Sequence, residues 1–168
     1  MGQIEKWGPD YRIEFDLKLP SANPIPNSHN WYSFLRLTTK DEDCSDFGCR
    51  LPSINFPGRR YPDSQPIMVV YITQSEGQDQ RHKAIYLKFD QWYNVQLDHR
   101  VLPDRSHGVF TVSVDGTVMW RQNTVGINEN PAIAYKNVLW YQSNPWFPSV
   151  GDYIEIKCLR LKNIITYF

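Results

Sequence analysis

The chain lacks any apolar run approaching the ~18 residues that a membrane-spanning helix needs, so no insertion into a bilayer by helices is expected. It lacks an excess of charge, because 18 Lys and Arg balance 18 Asp and Glu. Nucleic-acid binders usually carry a basic face. Here no basic run exceeds Arg59-Arg60, which argues against a nucleic-acid partner. Residues 1–6 hold no signal-peptide core, so the expectation is either a cytosolic chain or a mature fragment with an added Met. No Asn-x-Ser/Thr glycosylation acceptor is present. Catalytic signatures are missing as well. The histidines at 29, 82, 99 and 107 form neither His-x-His nor His-Glu-x-x-His, and there is no phosphate loop and no Gly-x-Ser-x-Gly elbow.

Cysteine is scarce and odd in number, at three. Cys44 and Cys49 enclose a short turn containing Gly48, which can bring their Cα atoms within the roughly 7 Å that a disulfide requires. The alternative is three reduced thiols. Zinc is weaker, since no second ligand pair stands at a recognisable spacing. Cys158 is expected to be free and buried, because it follows Ile154 and Ile156 in an alternating run.

What the chain does have is aromatic residues, at 14%, with twelve Pro and nine Gly. Aromatic and β-branched residues suit the half-buried face of a sheet, and Pro and Gly imply frequent turns. The clearest strand runs from Tyr11 to Leu19. Tyr11, Ile13, Phe15, Leu17 and Leu19 alternate without exception with Arg12, Glu14, Asp16 and Lys18, which assigns one face to a core and the other to water. Further strands are expected at 31–38, 49–56, 67–73, 83–89, 92–100, 109–114, 117–121 and 138–142, with a last long one from Ile154. Pro52 should place its strand at an edge or a bulge. Residues 67–73 are apolar enough to be buried on both faces. Asp115-Gly116 is the strongest hairpin signal. Ten or so short strands without a helical period, and without a linker, predict one all-β sandwich spanning 1–168.

Three runs add to this reading: Trp92-Tyr93-Asn94-Val95-Gln96-Leu97, Phe110-Thr111-Val112-Ser113-Val114-Asp115-Gly116, and Gly151-Asp152-Tyr153-Ile154-Glu155-Ile156. Together they resemble the concanavalin A-like jelly roll shared by laminin G, pentraxin and legume-lectin domains, in which the Trp would cover the edge of the core. The stretches 44–54 and 141–148 also resemble segments of extracellular invertebrate modules. The resemblance implies an antiparallel two-sheet jelly roll first, a binding role second and an extracellular location third.

Some enzymes of that fold carry Glu-x-Asp-x-x-Glu on one strand. Glu14 and Asp16 fit the first pair, but Leu19 replaces the second Glu, so both are expected to be a solvated face and the chain is expected not to be an enzyme. Relatives of the fold hold calcium in rim loops, which makes Asp41, Asp43 and Asp46 candidate metal ligands beside the simpler reading of a solvated acidic turn stapled by Cys44 and Cys49. Trp146 and Phe147 could anchor a ligand, or Trp146 could plug the end of the sandwich. Arg50, near Arg59 and Arg60, could pair with glycan carboxylates or sulfates, or be an ordinary surface arginine. The expectation is a non-catalytic recognition module for carbohydrate or extracellular protein, using rim loops. Two alternatives stand beside it: a structural module that self-associates into a homo-oligomer through sandwich edges, and a diverged glycan-active enzyme.

Overall fold

The computed structural model describes residues 10–22, 31–38, 50–57, 66–73, 80–103, 107–125, 137–140 and 154–163. Among them there is no helix, and ten strands make two antiparallel five-stranded sheets. The first sheet has the order β10-β1-β6-β7-β8, with β1 at Tyr11–Lys18, β6 at Trp92–Val101, β7 at His107–Val114, β8 at Thr117–Val125 and β10 at Glu155–Asn163. The second has the order β5-β4-β3-β2-β9, with β2 at Trp31–Thr38, β3 at Arg50–Pro57, β4 at Ile67–Thr73, β5 at Gln80–Tyr86 and β9 at Asn137–Trp140. The described strands therefore form the expected all-β, antiparallel two-sheet sandwich.

The alternation in β1 decides the core. Tyr11, Ile13, Phe15 and Leu17 are fully buried, while Arg12, Glu14, Asp16 and Lys18 stay half-buried on the other face. Pairing of β1 with β6 and β6 with β7 continues the inward rows through Val95 and Leu97 to Val112 and Val114. From the second sheet, Ile54, Phe56, Met68, Val70, Ile72 and Ile85 meet them in one cluster, as the two inner faces of a sandwich do. Each such side chain contributes roughly 1.5–3 kcal/mol by leaving water. β4 is buried on both faces, as its composition predicts: Ile67 and Val69 are buried although they lie outside the core cluster.

Three local features explain the path of the chain. At the β7–β8 hairpin, Asp115 and Gly116 both take positive φ, 49° and 76°, the requirement of a two-residue turn that matches strand twist. Asp115 is tied to Asn94 twice, its carboxylate accepting from the Asn94 amide and its own amide donating to the Asn94 carbonyl, each at 2.8 Å. Pro52 lies in a central strand rather than at an edge. The β2–β3 register slips there, Arg36 pairing Ser53 but Thr38 pairing Arg50, so the bulge alternative is the one realised. Before β6, Asp90 (φ 59°) accepts from the Ser21 amide at 2.9 Å and donates its own amide to the Leu19 carbonyl. The Ser21 hydroxyl and amide, with Lys18 nearby, hold the Asp90 carboxyl below its ordinary range.

Two expectations are corrected. Cys158 is free but exposed. Asp16 pairs Lys157 and Glu14 pairs Arg160, so β10 spends one extra residue against β1. Cys158, at φ 54°, is where the excess is absorbed, and the bulge hands the inward phase to Leu159, which packs on the core. Trp92 does not cover the core edge. It lies on the outer face opposite Lys18, 37% exposed, with the ammonium groups of Lys157 and Lys18 at 4.0 and 5.2 Å from its ring. Its neighbour Tyr93 packs on the core instead and accepts from the Lys88 amide at 2.8 Å.

Candidate functional site

The outer faces of both sheets carry polar groups. On the first sheet, Arg12 pairs with Asp98 at 2.7 Å, Gln96 donates to the same Asp98, and Lys18 pairs with Glu155 at 2.7 Å. The Asn94 amide nitrogen is 3.0 Å from Asp16 and 3.3 Å from Glu14. Glu14 and Asp16 are thus half-buried acceptors in a ladder rather than a solvated pair. With Asn94 spanning both, they are held in place by the sheet's own structure. The centre of this face is satisfied internally.

The second sheet carries a polar row of its own. Its register aligns Arg36 of β2 with Ser53 of β3, Ser53 with Tyr71 of β4, and Tyr71 with His82 of β5. These positions are out of phase with the core residues Ile54, Val70 and Ile72. The neighbouring row holds Ser33, Asn55, Val69 and Ala84, with Asn55 and Val69 buried. On β5, His82 is exposed and Tyr86 is 60% exposed. An arginine, a serine, a tyrosine and a histidine therefore occupy one line across four strands, and the exposed Tyr86 stands four residues further along the edge strand β5, opposite Ile67. Sequence reading misses this row because its members lie in four strands whose pairing is not local. The one available signal is polar residues breaking apolar strands, as Tyr71 and Asn55 do.

Of the residues singled out from sequence, Arg50 opens β3 opposite Thr38. Asp41, Asp43, Asp46, Cys44, Cys49, Trp146 and Phe147 lie outside the described residues. The strands that lead into these segments run in opposite directions. β2 ends at Thr38, whereas antiparallel β9 begins opposite Thr38 and leaves past Leu35 toward the other end of β2. β2 and β9 thus end toward opposite ends of the second sheet. Among the described residues no group of three or more His, Cys, Asp or Glu is placed to hold a metal.

Neither a protein-family model nor a curated protein sequence matches the chain. Solved structures do. The alginate lyase Aly36B superposes with a TM-score of 0.68 at 11% identity, covering 99% of this chain and 74% of that one. A lysine-and-tyrosine double mutant of the same lyase, in complex with alginate tetrasaccharide, gives 0.61 at 12% identity. The native heptameric SAP-like pentraxin of Limulus polyphemus gives 0.55 at 12%, covering 95% of this chain and 67% of that one. The binding domain of botulinum neurotoxin serotype G gives 0.54 at 9%, this chain spanning 33% of its length. At such identities the likeness concerns architecture, and the architecture is the concanavalin A-like jelly roll.

Proposed function

We propose that the chain is a non-catalytic carbohydrate-recognition module acting outside the cell, with its ligand at the open β5 edge of the second sheet's outer face. The observation that carries this reading is the pair of exposed side chains His82 and Tyr86, which share the outer face of the edge strand β5 at the end of the Arg36–Ser53–Tyr71–His82 line. Sugars are bound through hydroxyls and apolar ring faces. An exposed imidazole and an open aromatic ring on one strand offer both, and the phenol presents an apolar body with a polar tip. The rim segments carrying Arg50, Asp41, Asp43 and Asp46, and Trp146 and Phe147, would extend the site, with calcium as the candidate ligand of the acidic segment. A rigid sandwich presenting loops at its rim is a common platform for recognition. Glycan-array binding with calcium and with a chelator tests the proposal. Selective binding to a set of related glycans supports it, and uniform background binding under both conditions counts against it.

A second reading is favoured by the same row. Arg can neutralise a sugar carboxylate through its fork of donors, and His and Tyr are proton-transfer groups. A lyase acting on an acidic polysaccharide has the same overall architecture. Incubation of the chain with alginate, followed by ultraviolet detection of unsaturated ends, separates the two. Turnover abolished by His82→Ala and Tyr71→Phe would make the module an enzyme.

A further inference from the structure

On the edge strand β10, the outward positions after Glu155 are Lys157, Arg160 and Lys162, in register with Asp16, Glu14 and Arg12. All three are exposed. Glu155 is already neutralised by Lys18 at 2.7 Å. Lys157 rests on the Trp92 ring, 4.0 Å from its centre, and Arg160 and Lys162 make no ion pair with any described residue. The facing carboxylates do not claim them, because Glu14 and Asp16 are bridged by Asn94 instead. The bulge at Cys158 keeps the set on one face: it lets Leu159 turn inward while Arg160 and Lys162 continue the outer line begun by Lys157. The result is a narrow cationic strip of about 15 Å, taking roughly 3.3 Å per strand residue.

Charged residues on an edge strand commonly serve to discourage edge-to-edge pairing, and one or two would suffice for that. Three cations in line with no anionic partner among the described residues, next to two half-buried carboxylates, select a more specific occupant. A membrane or a wide duplex would bring a broad anionic surface against Glu14 and Asp16 and be repelled. A thin chain bearing both anionic groups and hydroxyl donors fits: its anions meet Lys157, Arg160 and Lys162, and its hydroxyls donate to the free lone pairs of Glu14 and Asp16. We infer that the β10 edge is a docking strip for an acidic polysaccharide, carboxylated or sulfated. It lies on the sheet opposite the carbohydrate face proposed above and is independent of it.

Immobilised polygalacturonate and dextran sulfate distinguish carboxylate from sulfate, with neutral dextran, duplex DNA and phosphatidylserine vesicles as controls. The full chain should bind one of the acidic polysaccharides, with an affinity that falls steeply with salt. Arg160→Gln/Lys162→Gln, which alters exposed groups with no ion pair among the described residues, should keep its melting temperature and lose about tenfold or more in affinity. It should also lower the salt slope by about one for each contact removed. Cys158 lies within the strip and reports directly on its occupancy. Its alkylation, resolved by peptide mass spectrometry, should slow when the polysaccharide is bound and not when neutral dextran is added. Unchanged binding by the double variant, an unprotected Cys158, or preferential binding of DNA or vesicles would each overturn the assignment.

Discussion

Deletion of Cys158 should leave the fold intact and raise its stability. With that residue removed, the strand reads Ile154, Glu155, Ile156, Lys157, Leu159, Arg160, Leu161, Lys162, an unbroken alternation. The β1–β10 pairs already on either side of the bulge, Leu17 with Ile156, Asp16 with Lys157, Glu14 with Arg160 and Ile13 with Leu161, become one continuous register, and Phe15 gains Leu159 as its opposite residue. The deleted side chain is exposed, so little buried area is lost. What is removed is a non-glycine residue at φ 54°, a conformation costing roughly 1–2 kcal/mol. Straightening the strand takes back part of that gain, because bulges bend and twist their sheet. A net gain of about 1 kcal/mol corresponds to a rise in melting temperature of roughly 2–4 °C for a domain of this size. Urea unfolding followed by tryptophan fluorescence, with a melt by circular dichroism, measures both. A loss exceeding about 1 kcal/mol would refute the reasoning and show that the bend itself holds the sheets together.

Gly116→Ala should cost about 1–2 kcal/mol through backbone conformation alone, since a Cβ there meets nothing within 4 Å. Gly116→Asn should cost less, because Asn tolerates positive φ, and urea midpoints rank the two. Phe15→Ala, at a fully buried position, should cost about 3–5 kcal/mol in the same titration. Asp90 ionises more readily in the folded state, through the Ser21 donors. Its contribution is therefore present above the ordinary carboxylate pKa, near 4, and is lost as pH falls through the lower folded value. The gap in urea midpoint between wild type and Asp90→Asn should be open at pH 6 and closed at low pH. Thiol counting on unfolded, unreduced protein should give one free cysteine, Cys158, with Cys44 and Cys49 joined; a count of three refutes the disulfide.

The fold was legible wherever the side-chain pattern is local. β1 alternates without exception, β4 is apolar at both phases, and Asp115-Gly116 announces its turn. The phase slip in β10 was also written in the sequence, where Lys157-Cys158-Leu159 breaks the alternation. Strict alternation from Ile154 and Ile156 would turn Cys158 inward, but the bulge ends that phase at Lys157 and leaves the thiol exposed. Trp92 was misplaced for a related reason. Its position in β6 is fixed by pairing with Lys18, more than seventy residues away in sequence, and nothing local says which face it takes. The Arg36–His82 row was invisible for the same cause, being created by the order β5-β4-β3-β2 rather than by any segment.

The central claim is that a carbohydrate binds at the β5 edge of the second sheet. Hydrogen exchange of the chain saturated with the glycan that the array selects tests it most directly. The account predicts slowed exchange in β5, around His82 and Tyr86, together with loss of both binding and protection in Tyr86→Ala at an unchanged melting temperature. Protection confined to β1, β6 and β7, with β4 and β5 exchanging as in the free chain, would contradict it.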